Sequence, residues 1–356
     1  MYTNWIKIIL INIAVFIVTL LVLELGWRGF LLIESCFSDN GCNFHYISKI
    51  ELVNPEETKI GFTRPDKDLG YVPKEGFKGR IKHPIWHNSL VEIDDEGFRS
   101  SELVTPKKSG RIICSGDSFT FGDQVNNSET WPACIQRQLS IKVDNAGVSG
   151  YGVIQSVLRI KQASKLHSYR LSILSILVGN DILRDQLIYR SGFPKPFLTK
   201  HNGVVSYNSP PQPPYAVGSK YNRAWMNSAT LELIFKNSIL GNYAIKKLNL
   251  NEANLNKLAQ EPANKIEILQ WVLKEYRSLP IPKKIILLQY NSHGINSLEA
   301  LHERELIKRE AEKFGIDVID TYNVLTTSAP EDVWDEHHTA FGNELVCKTI
   351  LPSISK

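Results

Sequence analysis

Apolar and polar positions divide the chain into three stretches of different character. An apolar run extends from Ile8 to Leu25 and is interrupted by only three polar residues. Residues 33 to about 108 are rich in glycine, proline and charge, with short strand-like pieces such as the one from Leu90 to Asp94. From Arg111 onward, apolar runs of strand length alternate with helical stretches, a pattern that predicts βαβ units and a parallel sheet.

The alternation predicts five principal strands and five principal helices. We expect the strands at Arg111–Gly116, Lys142–Ala146, Leu171–Val178, Lys284–Gln289 and Asp317–Asp320. We expect the helices at Thr130–Leu139, Val153–Lys165, Ala263–Arg277, Leu298–Phe314 and Gly342–Ile350. Strands that are apolar throughout are typical of a sheet with helices on both faces. The predicted fold class is therefore a three-layer α/β/α sandwich with a mostly parallel five-stranded sheet.

The same pattern predicts the organisation of the chain. Residues 1–32 form a membrane anchor, residues 33–108 a loop-rich extension, and residues 109–356 the main domain. Within the main domain the alternation breaks between about residues 182 and 260, where a proline-rich segment extends from Ser209 to Tyr215. Loops of this length inside a compact domain are usually lids or mobile segments.

The N-terminal apolar run has about the length that a helix needs to cross a bilayer core. It is apolar around its whole circumference, which disfavours a core helix with a single apolar stripe. A cleaved signal peptide is the rival interpretation, but the run is long for one and no clear cleavage site follows. We expect an uncleaved single-pass anchor, and its flanking charges at Lys7 and Arg28 give little orientation bias.

Charge and cysteine content add little to this picture. The 41 basic and 37 acidic residues leave a formal net charge of +4 without a long like-charge block, so no nucleic-acid partner is expected. Cys36 and Cys42 can close a short disulfide loop in an oxidising compartment. Cys114, Cys134 and Cys347 are expected to be small buried apolar residues. No residue spacing indicates a metal site, no cofactor is expected, and the oligomeric state stays open.

Four polar stretches follow predicted strands or precede the last helix, and ligand sites of open α/β sheets lie at the carboxyl ends of the strands. They are GDSFTFG at Gly116–Gly122, NAGVSGYG at Asn145–Gly152, VGND at Val178–Asp181 and WDEHHTAFG at Trp334–Gly342. A serine needs an imidazole base, a group that orients the base, and donors for the oxyanion. The four stretches contain all of these groups.

The order and spacing of these stretches resemble the four blocks of the SGNH hydrolases, the GDSL-type esterases and lipases, and in particular their membrane-anchored bacterial members. The resemblance covers about residue 111 to the C-terminus and implies a flavodoxin-like fold. It implies that Ser118 is the nucleophile and that Ser118, Gly150 and Asn180 form the oxyanion hole. The third block departs from the family pattern GxND, because Val178 stands at its first position.

The fourth block leaves the base open between two adjacent histidines. The common family pattern DxxH pairs Asp335 with His338, whereas the pattern DxHx(N/T)xxG of membrane-associated relatives selects His337, with Thr339 and Gly342 in register. The glycine register favours His337 as the base, with His338 as the alternative. Asp335 is the expected orienting carboxylate in either case.

The resemblance implies a serine esterase or acyltransferase that forms an acyl-serine intermediate. An anchored domain outside the cytoplasm, periplasmic or at the cell surface, suits ester-linked acyl groups such as O-acetyl on a glycan or polysaccharide. Aromatic residues expected to suit such a substrate are Trp86, Trp131, Tyr215 and Trp225. The alternative is a catalytically inactive SGNH-fold component that binds or assembles within a polysaccharide-modification system. Arg99, at the end of a GFR segment, is expected to have a structural role near the site.

Overall fold

The computed structural model describes residues 62–81, 88–101, 107–190, 193–210 and 262–355, together with six residues between positions 12 and 22. The chain divides into two compact units, and each is described by itself. One unit combines Met1–Val53 with Val217–Asn254, and the other combines Asn54–Ala216 with Leu255–Lys356. All of the numbered strands and helices below lie in the second unit.

In the first unit, the described residues are all helical and exposed. They are Asn12, Val15, Phe16, Val18, Thr19 and Val22. The rest of the predicted anchor, together with Cys36 and Cys42, lies outside the described residues. Within the residues that are described, no helix has the length and apolar character needed to span a membrane. The anchor and its orientation therefore stay predictions.

The strands of the second unit are short hairpins and one central sheet. They are β1 (Thr63–Asp66), β2 (Gly70–Pro73), β3 (Lys78–Ile81), β4 (Ser89–Glu92), β5 (Lys108–Ser115), β6 (Ile141–Asn145), β7 (Leu171–Leu177), β8 (Tyr189–Arg190), β9 (Phe193–Pro194), β10 (Phe197–His201), β11 (Val204–Asn208), β12 (Lys283–Gln289), β13 (Asp317–Asp320), β14 (Trp334–Asp335) and β15 (His337–His338).

The helices alternate with the strands of the central sheet. They are α1 (Ser118–Phe121), α2 (Trp131–Leu139), α3 (Val153–Ala163), α4 (Asp181–Arg184), α5 (Lys265–Ser278), α6 (Leu298–Lys313), α7 (Tyr322–Thr326), α8 (Pro330–Val333) and α9 (Ala340–Ile354). A 3₁₀ turn at Asn127–Glu129 precedes α2.

The central sheet has five parallel strands in the order β6-β5-β7-β12-β13. This is the flavodoxin-like order, in which the chain leaves the first strand to one side and later returns to the other. The crossovers place α2 on one face, where it packs against α9, and α3 on the other, where it packs against α5. The predicted five-stranded sheet sandwiched by helices is confirmed.

Burial explains why these residues form a doubly covered sheet. All seven residues of β7 are buried, and six of the seven residues of β12 are buried. Continuous apolar strands of this kind are stable only when helices cover both faces. The helices that cover them are amphipathic, with α3 burying Val153, Val157 and Ile160 toward the sheet.

The predicted N-terminal extension contains two antiparallel hairpins, β1–β2 and β3–β4. Phe62, Ile81, Val91 and Ile93 form a small core cluster with Phe121 of α1. The extension is therefore packed directly against the helix that begins at Ser118. The boundaries proposed at residues 32 and 108 stay predictions.

The structure corrects the prediction for two of the cysteines. Cys134 on α2 and Cys347 on α9 form a disulfide with a Cα–Cα distance of 6.1 Å across 213 residues of chain. The sequence pattern shows only that both lie on helices, because the packing of α2 against α9 depends on the sheet topology. Cys114 is a free, buried cysteine, as expected.

The disulfide leads to a prediction about stability. Because it closes a long loop, its removal is expected to lower the free energy of unfolding by about 2–5 kcal/mol. Dithiothreitol should lower the Tm of the wild-type protein. The double variant Cys134→Ala/Cys347→Ala should have a Tm below that of the oxidised wild type, and reductant should not change it. The double variant also controls for any effect of reductant on Cys36 and Cys42. A wild-type Tm that does not respond to reductant contradicts the prediction.

Candidate active site

The candidate site lies at the carboxyl edge of the central sheet. The loop after β5 carries Ser118, the loop after β6 carries Gly150, and the loop after β7 carries Asn180. Since β5 lies between β6 and β7, the three loops are neighbours where the strand order reverses. This switch point is where open α/β sheets bind ligands.

The first block forms a tight turn that leads from β5 into α1. A Cβ at Gly116 would lie 2.3 Å from Thr120 Oγ1 and 2.9 Å from Ser175 Cβ, so no larger residue fits there. Asp117 caps α1, and its Oδ1 accepts a hydrogen bond of 2.9 Å from the backbone N–H of Phe119. The turn places Ser118 at the first position of the helix, where it is 4% exposed.

The central contact of the site joins Ser118 to His337. The Oγ of Ser118 lies 2.8 Å from Nε2 of His337, within hydrogen-bond distance. The two residues are 219 positions apart in the chain. The structure therefore places His337, rather than His338, beside the serine. A nucleophile and a base at this separation can exchange a proton directly.

The three donors predicted for the oxyanion hole are available at this edge. Within the described residues, no hydrogen bond is donated by the backbone N–H of Ser118, the backbone N–H of Gly150 or the side-chain amide of Asn180. Gly150 has a φ of 82°, a left-handed conformation that favours glycine. Asn180 immediately precedes α4 at its N-cap position, and its own backbone N–H donates to Leu177 O at 3.2 Å.

The loops interlock, which fixes these donors relative to Ser118. A Cβ at Gly147 would lie 2.4 Å from Phe121 N, so the second block lies directly against α1. Val148 N donates to Gly116 O at 3.0 Å. The second block also contacts the third, because a Cβ at Gly152 would lie 2.9 Å from Asp181 O.

A buried ion network holds Asp117 in place. Arg184 Nη1 donates to Asp117 Oδ2 at 2.9 Å and to Asp181 Oδ1 at 2.8 Å. It also donates to Tyr151 O at 3.2 Å. Burial and the nearby Asp117 raise the pKa of Asp181, and Arg184 opposes that shift. Arg184 therefore joins the first three blocks, a role that sequence reasoning missed although it follows Asp181 by one helical turn.

The structure does not place Asp335 as the orienting carboxylate. Nδ1 of His337 is buried and has no hydrogen-bond partner among the residues that the structure describes. Asp335 is exposed on the short β14–β15 hairpin, where Glu336 takes a left-handed φ of 67°. This turn directs the His337 ring inward to Ser118 while Asp335 stays at the surface.

His338 has a structural environment. It is 1% exposed, and its ring packs edge-on against Phe119 at a centroid distance of 4.8 Å. Burial, and then the neighbouring His337, lower the pKa of His338 to about 3. The Tyr290 backbone opposes this shift, although within the described residues neither ring nitrogen makes a hydrogen bond of normal geometry. His338 is therefore a neutral core residue.

The rest of the fourth block also has structural roles. Thr339 caps α9, and its Oγ1 accepts a hydrogen bond of 3.1 Å from Gly342 N. A Cβ at Gly342 would lie 2.4 Å from Val333 O, which explains the glycine at this position. The cap fixes where α9 begins and thereby the position of the His337 hairpin.

Arg99 supports the other end of α1, in agreement with its expected structural role. Its Nη1 donates to Phe121 O at 2.7 Å and to Gly122 O at 2.5 Å. Its Nη2 donates to Val125 O at 2.6 Å. The side chain is 2% exposed, and its cation lies 4.8 Å from the centre of the Phe121 ring.

Of the four aromatic residues expected to suit a glycan substrate, one lies among the described residues. Trp131 is completely buried, and its indole N–H donates to Phe119 O at 3.2 Å. It is therefore a core residue that supports α1, in contrast to the prediction. Trp86, Tyr215 and Trp225 lie outside the described residues.

Comparisons with known proteins yield distant likenesses. No family model matches the chain, and no curated protein matches it significantly. One similar solved structure is LAE5, an alpha/beta hydrolase from the metagenome of Lake Arreo, Spain, with 13% identity and a TM-score of 0.40 over 69% of this chain and 94% of that chain.

A second similar structure is Axe2, an acetylxylan esterase from Geobacillus stearothermophilus. It shows 13% identity and a TM-score of 0.37 over 71% of this chain and 97% of that chain. At such identities and TM-scores, neither likeness assigns an activity or a substrate to this chain.

The environment of His338 leads to a prediction about pH and stability. An unfolded histidine titrates near 6.5, so between pH 6.5 and about 3 the unfolded chain binds a proton that the folded chain excludes. Stability is therefore expected to decrease as the pH falls through this window, by up to about 1.4 kcal/mol per pH unit from this residue. Urea unfolding at pH 6.5, 5.5 and 4.5 measures the slope. The variant His338→Phe should show a shallower slope, and equal slopes contradict the prediction.

Proposed function

We propose that this protein is a serine esterase or acyltransferase that works through an acyl-Ser118 intermediate. The observation that carries the proposal is the distance of 2.8 Å between Ser118 Oγ and His337 Nε2 at the carboxyl edge of the sheet. The three donors at the same edge support it, because an oxyanion requires donors that have no other partner.

The proposed reaction has two steps. Oγ of Ser118 attacks the ester carbonyl carbon while Nε2 of His337 takes the hydroxyl proton, and the proton then passes to the leaving alkoxide. In the second step His337 takes a proton from water or an acceptor hydroxyl, whose oxygen attacks the acyl carbonyl carbon. His337 then returns the proton to Oγ of Ser118 as the acyl–Oγ bond breaks. Each oxyanion donor is expected to lower the barrier by about 2.7–4 kcal/mol.

The proposed pair operates as a dyad. To accept the serine proton at Nε2, a neutral His337 carries its own proton on Nδ1. Since Nδ1 has no hydrogen-bond partner among the described residues, the imidazolium formed during attack receives no direct carboxylate stabilisation there. Asp335 therefore contributes less in this proposal than the resemblance implies.

The proposed substrate is an ester-linked acyl group, such as O-acetyl on a glycan or polysaccharide, and the proposed location is outside the cytoplasm. The Cys134–Cys347 disulfide supports the location, because disulfides form and persist in oxidising compartments. Together with the predicted anchor, the disulfide favours a periplasmic or cell-surface domain. The glycan substrate rests on the SGNH resemblance of the four blocks.

The alternative is a binding or assembly component that has the fold without catalysis. This function requires no contact between a serine and a histidine. The 2.8 Å contact and the partner-free donors favour the enzyme.

A serine-directed fluorophosphonate probe tests the proposed function. We expect the wild-type protein to be labelled, and Ser118→Ala and His337→Ala to lose labelling and p-nitrophenyl acetate hydrolysis while keeping the wild-type circular dichroism spectrum. The matched control is His338→Phe, which removes the adjacent imidazole and should still be labelled. Absence of labelling in the folded wild-type protein supports the binding component instead.

The dyad gives a separate prediction for Asp335. Removal of an orienting carboxylate costs about 10⁴-fold in kcat in a serine protease triad. We expect Asp335→Ala to lower kcat by less than about tenfold, because its carboxylate does not reach Nδ1 of His337. Steady-state kinetics of Asp335→Ala beside His337→Ala measures the difference. Equal losses in the two variants mean that Asp335 orients the base in the substrate complex.

A further inference from the structure

Gln124 occupies a backbone conformation that its residue type disfavours. Its φ is 78°, in the left-handed region, where a residue with a Cβ costs roughly 1–2 kcal/mol relative to right-handed backbone. Among the non-glycine residues described with positive φ, it alone is buried. Gly122, two positions earlier, has a similar φ of 87° and is a glycine.

The Gln124 side chain contacts the proposed base directly. Its Oε1 accepts a hydrogen bond of 2.6 Å from the backbone N–H of His337. Gln124 is 9% exposed, and the hydrogen bond that it accepts is partly buried. It joins the loop that follows α1 to the hairpin that carries His337, two segments that are 213 residues apart.

We propose that Gln124 is the positioning residue for His337, in place of a carboxylate at Nδ1. This inference rests on the proposed function, because it assigns Gln124 a role in the Ser118–His337 reaction. The amide fixes the His337 backbone, and the Phe119 ring, at a centroid distance of 4.9 Å, packs against the imidazole. Together they hold Nε2 toward Ser118 while Nδ1 has no partner among the described residues.

The backbone conformation offers a variant that separates positioning from stability. Gln124→Gly removes the acceptor of the His337 N–H, which destabilises, and relieves the left-handed backbone, which stabilises, so its Tm should stay close to that of the wild type. Its kcat for p-nitrophenyl acetate should fall by about 10- to 100-fold, since a misplacement of about 1 Å costs this much. KM should change by less than about twofold, because the hydrogen bond is to the base and not to the substrate.

Two further variants serve as matched controls. Gln124→Glu keeps an oxygen acceptor at the same distance from the backbone and should recover a kcat within about threefold of the wild type. Asn202→Gly makes the same backbone change at an exposed hairpin position with a φ of 48° and should leave kcat unchanged. A Gln124→Gly variant with wild-type kcat overturns the proposal.

A structural measurement distinguishes failure of this inference from failure of the proposed function. Crystal structures of the wild type and Gln124→Gly should show the Ser118 Oγ to His337 Nε2 contact in the wild type only. An unchanged contact in Gln124→Gly overturns the positioning role, whether or not the protein is an esterase. A wild-type protein that has the contact but is not labelled by the fluorophosphonate probe overturns the proposed function, and a displaced His337 in Gln124→Gly then shows only that Gln124 fixes the position of the histidine.

Discussion

The geometry of the site depends on the hydrogen bonds that the buried guanidinium of Arg99 donates at the end of α1. A helix of four residues is too short to be stable by itself, and its last carbonyls have no partners within the helix. Arg99 donates to the carbonyls of Phe121, Gly122 and Val125, so it binds the end of α1 and the loop beyond it. A cation also interacts favourably with the carboxyl end of a helix. The position of Ser118 is thus set in part by a residue that precedes the first strand of the central sheet in the chain.

A second ionic interaction acts at the opposite end of α1. Arg184 holds Asp117, which caps the helix, and reaches the loops after β6 and β7. The serine therefore lies between two buried arginines that bind the two ends of one helical turn. Removing a buried charged group would leave its partners unsatisfied, which is strongly destabilising. These arginines explain how a four-residue helix at a strand end is held in a fixed position.

Much of the fold and part of the site followed from the sequence. Apolar runs mark the strands because a strand that is buried on both faces of the sheet needs apolar residues throughout. The predicted strand Asp317–Asp320 agrees with β13 at both ends. The loops of Ser118, Gly150 and Asn180 lie together because parallel strands end at one edge. The Cys134–Cys347 pair and the burial of Trp131 were not predictable from local pattern, because both depend on how α2 packs against α9 and α1.

The sequence pattern also could not predict that Asp335 forms no hydrogen bond with Nδ1 of His337. A motif specifies spacing along the chain, but the left-handed Glu336 decides which side of the hairpin each neighbour occupies. The register of Thr339 and Gly342 was more informative, because capping and close packing at the start of α9 fix the backbone there. The roles of Arg184 and Gln124 depend on contacts between segments that are distant in the chain. The spacing of residues within one motif does not predict such contacts.

The disulfide has a consequence for the two residues at the centre of the site. Ser118 precedes the helix that carries Cys134, and His337 precedes the helix that carries Cys347. In the oxidised chain, the shortest covalent path between Ser118 and His337 passes through the disulfide. It runs from Ser118 to Cys134 and from Cys347 back to His337, instead of through the 219 residues that separate the two in sequence. Even when the sheet is unfolded, the two side chains stay at a high effective concentration, because a short connection has a small closure entropy. In the oxidised protein the disulfide thus keeps Ser118 and His337 near each other. Refolding then has to restore the orientation of the two side chains more than their proximity.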